Sequence, residues 1–226
     1  MVRRLCLLAV LFASAAALAL PLDLSIASFF RRDADGDVIH DLVSLAEVFA
    51  HGLGVACILL TAYVLDVRQR CRMPRVIAAV VGAGLTVDLI KLLVGRFRPR
   101  GLEVAQVWDS FCGWFPMFRP EVRQGLSVGQ CQSLPSGHAA VATALAIGLA
   151  LLYPRGRWLF VTFAVLAGLQ RIESCAHYPS DTLAGAAVAC LVCAAFLSNR
   201  GIGRWFDRWD ASEANNGCDF SAEAIR

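Results

Sequence analysis

The chain is a series of six apolar runs, each near the length of one bilayer crossing, broken by stretches that gather the arginines. The runs cover about 5–22, 42–66, 76–95, 138–153, 158–174 and 181–198. A membrane-spanning helix needs about 20 mostly apolar residues, fewer at the short end of its range. The expectation is therefore an all-α fold: a polytopic membrane helix bundle of about six transmembrane helices, one domain over residues 1–199. With 58% hydrophobic and 17% charged residues and a mean hydropathy of +0.60, the composition excludes an ordinary soluble domain. Two connections are long, a polar loop at 23–41 and a loop at 96–135 rich in Arg, Pro, Gly and aromatics. No internal repeat and no nucleotide-binding glycine loop is visible, and no nucleic-acid partner is expected.

Arginine placement sets the orientation. Arg3 and Arg4 precede the first run, Arg68, Arg70, Arg72 and Arg75 separate the second from the third, Arg155 and Arg157 the fourth from the fifth, and Arg200, Arg204 and Arg208 follow the sixth. Six crossings put all of these on one side, which is then cytoplasmic. The 96–135 loop, with arginines of its own, lies outside. The start of the chain has two readings. Arg3-Arg4, an apolar stretch and Ala17-Leu18-Ala19 fit a cleaved secretory leader; a first transmembrane helix is the preferred one. Residues 200–226 form a cytoplasmic tail, interfacial around Trp205, Phe206 and Trp209 and mobile beyond. Among the cysteines, Cys112 and Cys131 share the external loop and are candidates for a disulfide. Cys190 and Cys193 lie in an apolar helix, where packing explains them better than a metal.

Three polar clusters converge on the external face. The first runs from Lys91, the only lysine in the chain, to Pro99 at the outer end of the third helix. The second is LPSGHAA, 134–140, at the outer start of the fourth. The third is QRIESCAHYPSD, 170–181, between the fifth and sixth. Ser136 suits an N-cap and Gly137 lets a ligand approach the backbone. The first amides of that helix then form an anion site. Lys91, Arg98 and Arg171 would add positive charge, arginine as a bidentate fork and lysine as a point charge. His177 sits just before the sixth helix, with Pro179 in its first turn. Asp181 can reach back to one ring nitrogen of His177 and leave the other free to attack. His138 is then the natural acid for a leaving oxygen.

These residues resemble the signature of the type 2 phosphatidic acid phosphatases, the lipid phosphate phosphatase superfamily. Lys91 is followed after six residues by Arg98-Pro99; then comes Pro135-Ser136-Gly137-His138; then Arg171, five residues, His177, three residues and Asp181. The resemblance implies metal-independent hydrolysis of a phosphate monoester or diphosphate on a membrane lipid, with no metal and no cofactor. His177 would form a phosphohistidine, Asp181 would orient it, and His138 would protonate the leaving alkoxide and then activate water. Lys91, Arg98, Ser136, Gly137 and Arg171 would bind phosphate and stabilise the charged transition state. One position departs from the family pattern: Gln170 stands where serine is usual before the third-motif arginine. Expected partners are the bilayer and a lipid phosphate such as phosphatidic acid, phosphatidylglycerol phosphate, a polyprenyl diphosphate or the phosphate of a lipopolysaccharide anchor. The site would face the periplasm or exterior of a cytoplasmic membrane. The alternatives are a phosphotransferase using the same pocket and a non-catalytic lipid-phosphate binding or transport protein.

Three further features stand out. Asp88, one turn before Lys91, is expected to pair with it or with an arginine. Glu47 and His51, four apart near the outer end of the second helix, are read as a polar pair on one helix face. Trp108, Phe111, Trp114, Phe115 and Phe118 in the external loop suit interfacial anchoring or a lid over the site.

Overall fold

A computed structural model describes residues 1–32, 43–100, 104–119, 125, 127–198 and 201–206. All six apolar runs are helical. They form α1 (Val2–Ala19), α3 (Gly52–Leu65), α4 (Met73–Leu93), α5 (Gly137–Leu152), α6 (Arg157–Glu173) and α7 (Pro179–Phe196). The stretch read as a polar loop from 23 begins instead as a helix, α2 (Asp23–Arg32), joined to α1 by a tight turn at Leu20–Leu22. Pro21 falls in the first turn of that short element, where a missing N–H costs nothing, so the chain stays helical through it. Residues 33–41 of the expected loop lie outside the described residues, as does the tail beyond 206.

By length and composition, Val2–Arg31, Val67–Leu93 and Pro179–Phe196 can each cross a membrane. Val43–Phe49 and Gly52–Leu65 add a fourth if taken as one span bent by 62°. At 16 and 17 residues, α5 and α6 are shorter. α5 is the axis of the bundle, packed against α4, α6 and α7, while α1 lies along α7. The shared core is built largely of small residues: Ala79 and Ala83 on α4, Ala140, Ala142 and Ala144 on α5, and Ala189 and Cys193 on α7. In lipid, where apolar surface gains little from burial, close packing of such residues holds helices together. The tightest approach matters for the site. A Cβ at Gly185 of α7 would collide with the Ser136 carbonyl at the head of α5, so only glycine lets these two helix ends meet.

The external segment is anchored by a small antiparallel sheet, β1 (Val94–Arg96) on β2 (Phe111–Trp114). Gly95 backs directly onto Cys112 and Pro116. Cys112 and Cys131 lie together with Phe97 in a buried cluster as neighbouring thiols, and burial followed by Cys131 pushes Cys112 up to about 12. Of the loop aromatics, Trp108, Trp114, Phe115 and Phe118 are exposed, as interfacial anchoring requires. Phe111 instead stacks on Arg96. At the other end, Phe206 is buried against Phe196, and Arg75 donates to the Gly203 carbonyl at 3.1 Å.

Candidate active site

Backbone bonds stitch the three sequence clusters together at the outer end of the bundle. Ser133 N–H donates to Arg96 O at 3.0 Å, Arg98 N–H to Gln130 O at 2.8 Å and Arg100 N–H to Cys175 O at 3.1 Å. Ser136 N–H donates to Asp181 O at 2.9 Å, and His177 N–H to Arg171 O at 3.0 Å. Lys91, Arg98, Ser136, Gly137, His138, Arg171, His177 and Asp181 therefore converge, although they span 91 to 181 in sequence.

Ser136 caps α5, its Oγ accepting from Ala139 N–H at 3.4 Å, and α5 starts at Gly137 with its positive end at the cluster. Lys91 Nζ lies 3.4 Å from where a Gly137 Cβ would stand, so glycine leaves the ammonium its place over the helix start. Asp88 sits 3.5 Å from that ammonium, the expected partnership. Arg171 is held from two directions: Nε donates to Gln170 Oε1, and Nη2 meets Glu47 Oε1 at 2.7 Å. Gln170, in place of the family serine, is thus a buried acceptor that sets the arginine fork. Arg98 has a buried Nε with no hydrogen-bond partner among the described residues. Burial, then the nearby Arg100 and Arg171, push its pKa down.

His177 is buried, and its Nδ1 lies 2.7 Å from the Ser133 carbonyl oxygen. A carbonyl can only accept, so Nδ1 carries the hydrogen and Nε2 presents a free lone pair. Burial first, then Arg98 and Lys91, push the ring's pKa well below its usual 6.5, which keeps it neutral. The expected bond from Asp181 to this ring is replaced by the Ser133 carbonyl. Asp181 Oδ2 stands 3.9 Å from Nδ1, outside hydrogen-bond range. That oxygen instead accepts from Ser133 Oγ at 2.5 Å and Tyr178 N–H at 2.9 Å. Asp181 therefore fixes the two segments that hold the ring.

Beneath the site is a knot of charge. Arg96, fully buried, meets Asp181 Oδ1 at 2.6 Å and Asp23 Oδ2 at 2.7 Å, and bonds Ser180 Oγ at 2.7 Å and Ser110 Oγ at 3.1 Å. Its guanidinium lies 4.2 Å from the Tyr178 ring centroid and 4.7 Å from that of Phe111. Burial works to lower its pKa; Asp181 and Asp23 outweigh that and raise it. Asp23 also accepts from Ser180 N–H at 3.0 Å, which ties α2 to the head of α7.

Arg96, Asp23, Ser133 and Glu47 were not among the site residues expected from sequence. Glu47 and His51 do not share a helix face, because the helix breaks between them. His51 N–H bonds the Glu47 carbonyl at 2.8 Å, while the Glu47 side chain turns to Arg171 and comes within 4.0 Å of His138 Nε2.

Apolar helices of spanning length mark a membrane protein, and a cluster of arginines, a lysine and histidines lies at one end of its bundle. The chain belongs to the PAP2 superfamily, whose model matches residues 74–202. It is similar to a lipid A 1-phosphatase of Rhizobium johnstonii, 38% identical over 108 residues, which is 48% of this chain and 39% of that protein. A lipid A 1-phosphatase of Rhizobium etli is 37% identical over 108 residues, 48% of this chain and 41% of that protein. The matched region thus spans about two fifths of the length of these relatives. No solved structure matches the chain.

Proposed function

We propose that this protein is a membrane lipid phosphatase that works through a phosphohistidine on His177. The observation that carries this reading is the bond from His177 Nδ1 to the Ser133 carbonyl, which leaves Nε2 unprotonated among Lys91, Arg98 and Arg171. Nε2 attacks phosphorus, the bond to the lipid oxygen breaks, and His138 gives a proton to the leaving alkoxide. His138 then takes a proton from water as that water's oxygen attacks phosphorus and the P–N bond breaks, which frees phosphate and restores His177. Lys91, Arg98, Arg171 and the Ser136-Gly137 helix start bind the phosphoryl oxygens and stabilise their charge in the transition state. Asp181 positions the ring through Ser133.

The substrate is a lipid whose tail remains in the bilayer. An apolar cavity of about 510 Å³ between α3 and α4, lined by Val55, Leu59, Val80, Gly84 and Val141, supports this. Val141 lies one turn below His138 on α5, so a chain in that groove has its head near the cations. The names of the two relatives make the 1-phosphate of lipid A the first substrate to test. Arginine placement supports an inner-membrane protein with the site on the outer side.

The test is phosphate release by the purified full chain in detergent, with a chelator present, from lipid A, phosphatidic acid, phosphatidylglycerol phosphate and a polyprenyl diphosphate. Release that persists with chelator and is lost in His177→Ala is the expected result. Tight binding of these lipids with no release from any would overturn the reading in favour of a binding protein.

A further inference from the structure

Glu47 is a charged side chain in an apolar segment, placed at the mouth of the site by the bend between Val43–Phe49 and α3. Neighbouring carboxylates are already committed. Asp181 is buried on Arg96, Ser133 and Tyr178, and Asp88 sits on Lys91. Glu47 differs in facing both Arg171, at 2.7 Å, and His138 Nε2, at 4.0 Å. Its side chain is 37% exposed and that of His138 33%, so both remain open to a bound substrate. An ion pair this exposed contributes little to stability, and its position needs another reason.

We infer that Glu47 is a positioning residue that favours the protonated form of His138 against the cations around it, so that His138 can act as the acid toward the leaving oxygen. The inference rests on the phosphatase reading above. His138 is faced by Lys91 from α4, Arg171 from α6, His177 from the turn before α7, and His51 and Glu47 from the bent segment. Burial first, then the neighbouring cations, disfavour a positive charge on the ring; Glu47 is the carboxylate set against them. A neutral His138 cannot deliver a proton to an alkoxide. With Glu47 ionised, the proton on His138 passes to the leaving oxygen as that oxygen takes the electron pair of the breaking P–O bond. His138 is then neutral and ready to accept a proton from water in the second step. Glu47 keeps its bond to Arg171 throughout and touches no reacting atom. The bond to Arg171, itself fixed by Gln170, holds the carboxylate where it can do this.

A poor leaving group needs the acid and a good one does not, which gives a direct test. The native chain, Glu47→Gln and Glu47→Asp are compared in detergent on hexadecyl phosphate and p-nitrophenyl phosphate, reading kcat/KM against pH. Glu47→Gln should lose about tenfold or more on the alkyl ester and change little on the aryl ester. Its alkaline limb on the alkyl ester should move down by about one pH unit. Glu47→Asp, which keeps the charge, should restore the limb. Equal losses on both esters, with the limb unmoved, would overturn the inference and leave Glu47 as a holder of Arg171. A native chain that cleaves neither ester would overturn the phosphatase reading and this inference with it.

Discussion

Arg96 and Arg98 are two residues apart, yet they live in opposite electrostatic worlds. Arg96 is enclosed by two carboxylates, two serine hydroxyls and two aromatic rings, and every part of its guanidinium is matched. Arg98 has a buried nitrogen without a partner among the described residues and two further arginines nearby. A buried charge that is fully matched builds structure; one left over is a standing demand for an anion. The turn of chain from β1 toward Pro99 passes from the first condition to the second within a few ångströms. Much of the site follows from that step: the knot below fixes Asp181, Ser133 and α2, and Arg98 above keeps a buried nitrogen without a partner among the described residues.

This contrast breaks most visibly at Arg96. Arg96→Ala leaves Asp23 and Asp181 buried and unopposed, a loss of about 3–5 kcal/mol of stability. Denaturation in detergent should show it, together with loss of any activity; a variant as stable as the native chain would refute the structural role. Arg98→Ala should do the reverse. Melting should stay level or rise, because an unmatched buried charge is gone, while kcat/KM on a lipid phosphate falls about a hundredfold. A stability loss comparable to that of Arg96→Ala would erase the distinction between the two.

Lys91 lies between these extremes, since Asp88 already offsets part of its charge. Lys91→Ala should cost about tenfold in kcat/KM, less than Arg98→Ala, and leave melting nearly unchanged. An unaffected rate would remove Lys91 from the phosphate site. The subtlest effect is on pH. His177 is held well below 6.5 by burial and by Arg98 and Lys91, so it remains neutral and competent as pH falls through 6.5. The profile of kcat/KM, corrected for the substrate's own ionisation, should show no acid limb from His177 near 6.5. Stability has the matching sign. Below 6.5 the unfolded chain takes up a proton that the folded chain refuses, so folding should weaken as pH drops. An acid limb at 6.5 that disappears in Arg98→Ala would contradict the assigned environment.

The clustering of the cations and the histidines was legible in the sequence because arginine, lysine and histidine are conspicuous between apolar runs. The helices were legible for the same reason, although their number as full crossings was not: α5 and α6 are helical, yet at 16 and 17 residues they are shorter than the spans that frame them. The supporting layer was hidden. Ser133 orients His177 with a backbone carbonyl, which any residue type can offer, so its identity carried no signal. Asp23 and Arg96 meet across 73 positions, and Asp23 opens a helix in a stretch whose polarity reads as loop. Glu47 did leave a trace, a carboxylate inside an apolar run. Its spacing to His51 suggested the wrong partner, because the bend that turns its side chain to Arg171 is marked only by Gly52 and Gly54, the latter backing onto the Val48 carbonyl.

The central claim is that His177 Nε2 carries the phosphoryl group during turnover. The most direct measurement is to mix the purified chain with a lipid phosphate, quench within the first turnover in alkali, where phosphohistidine survives, and map the modified residue by mass spectrometry. The account predicts phosphate on His177 in the native chain, more of it when His138→Ala slows the second step on a substrate with a good leaving group, and none in His177→Ala. Phosphate on another side chain, or full turnover with no covalent species at any time, would contradict it.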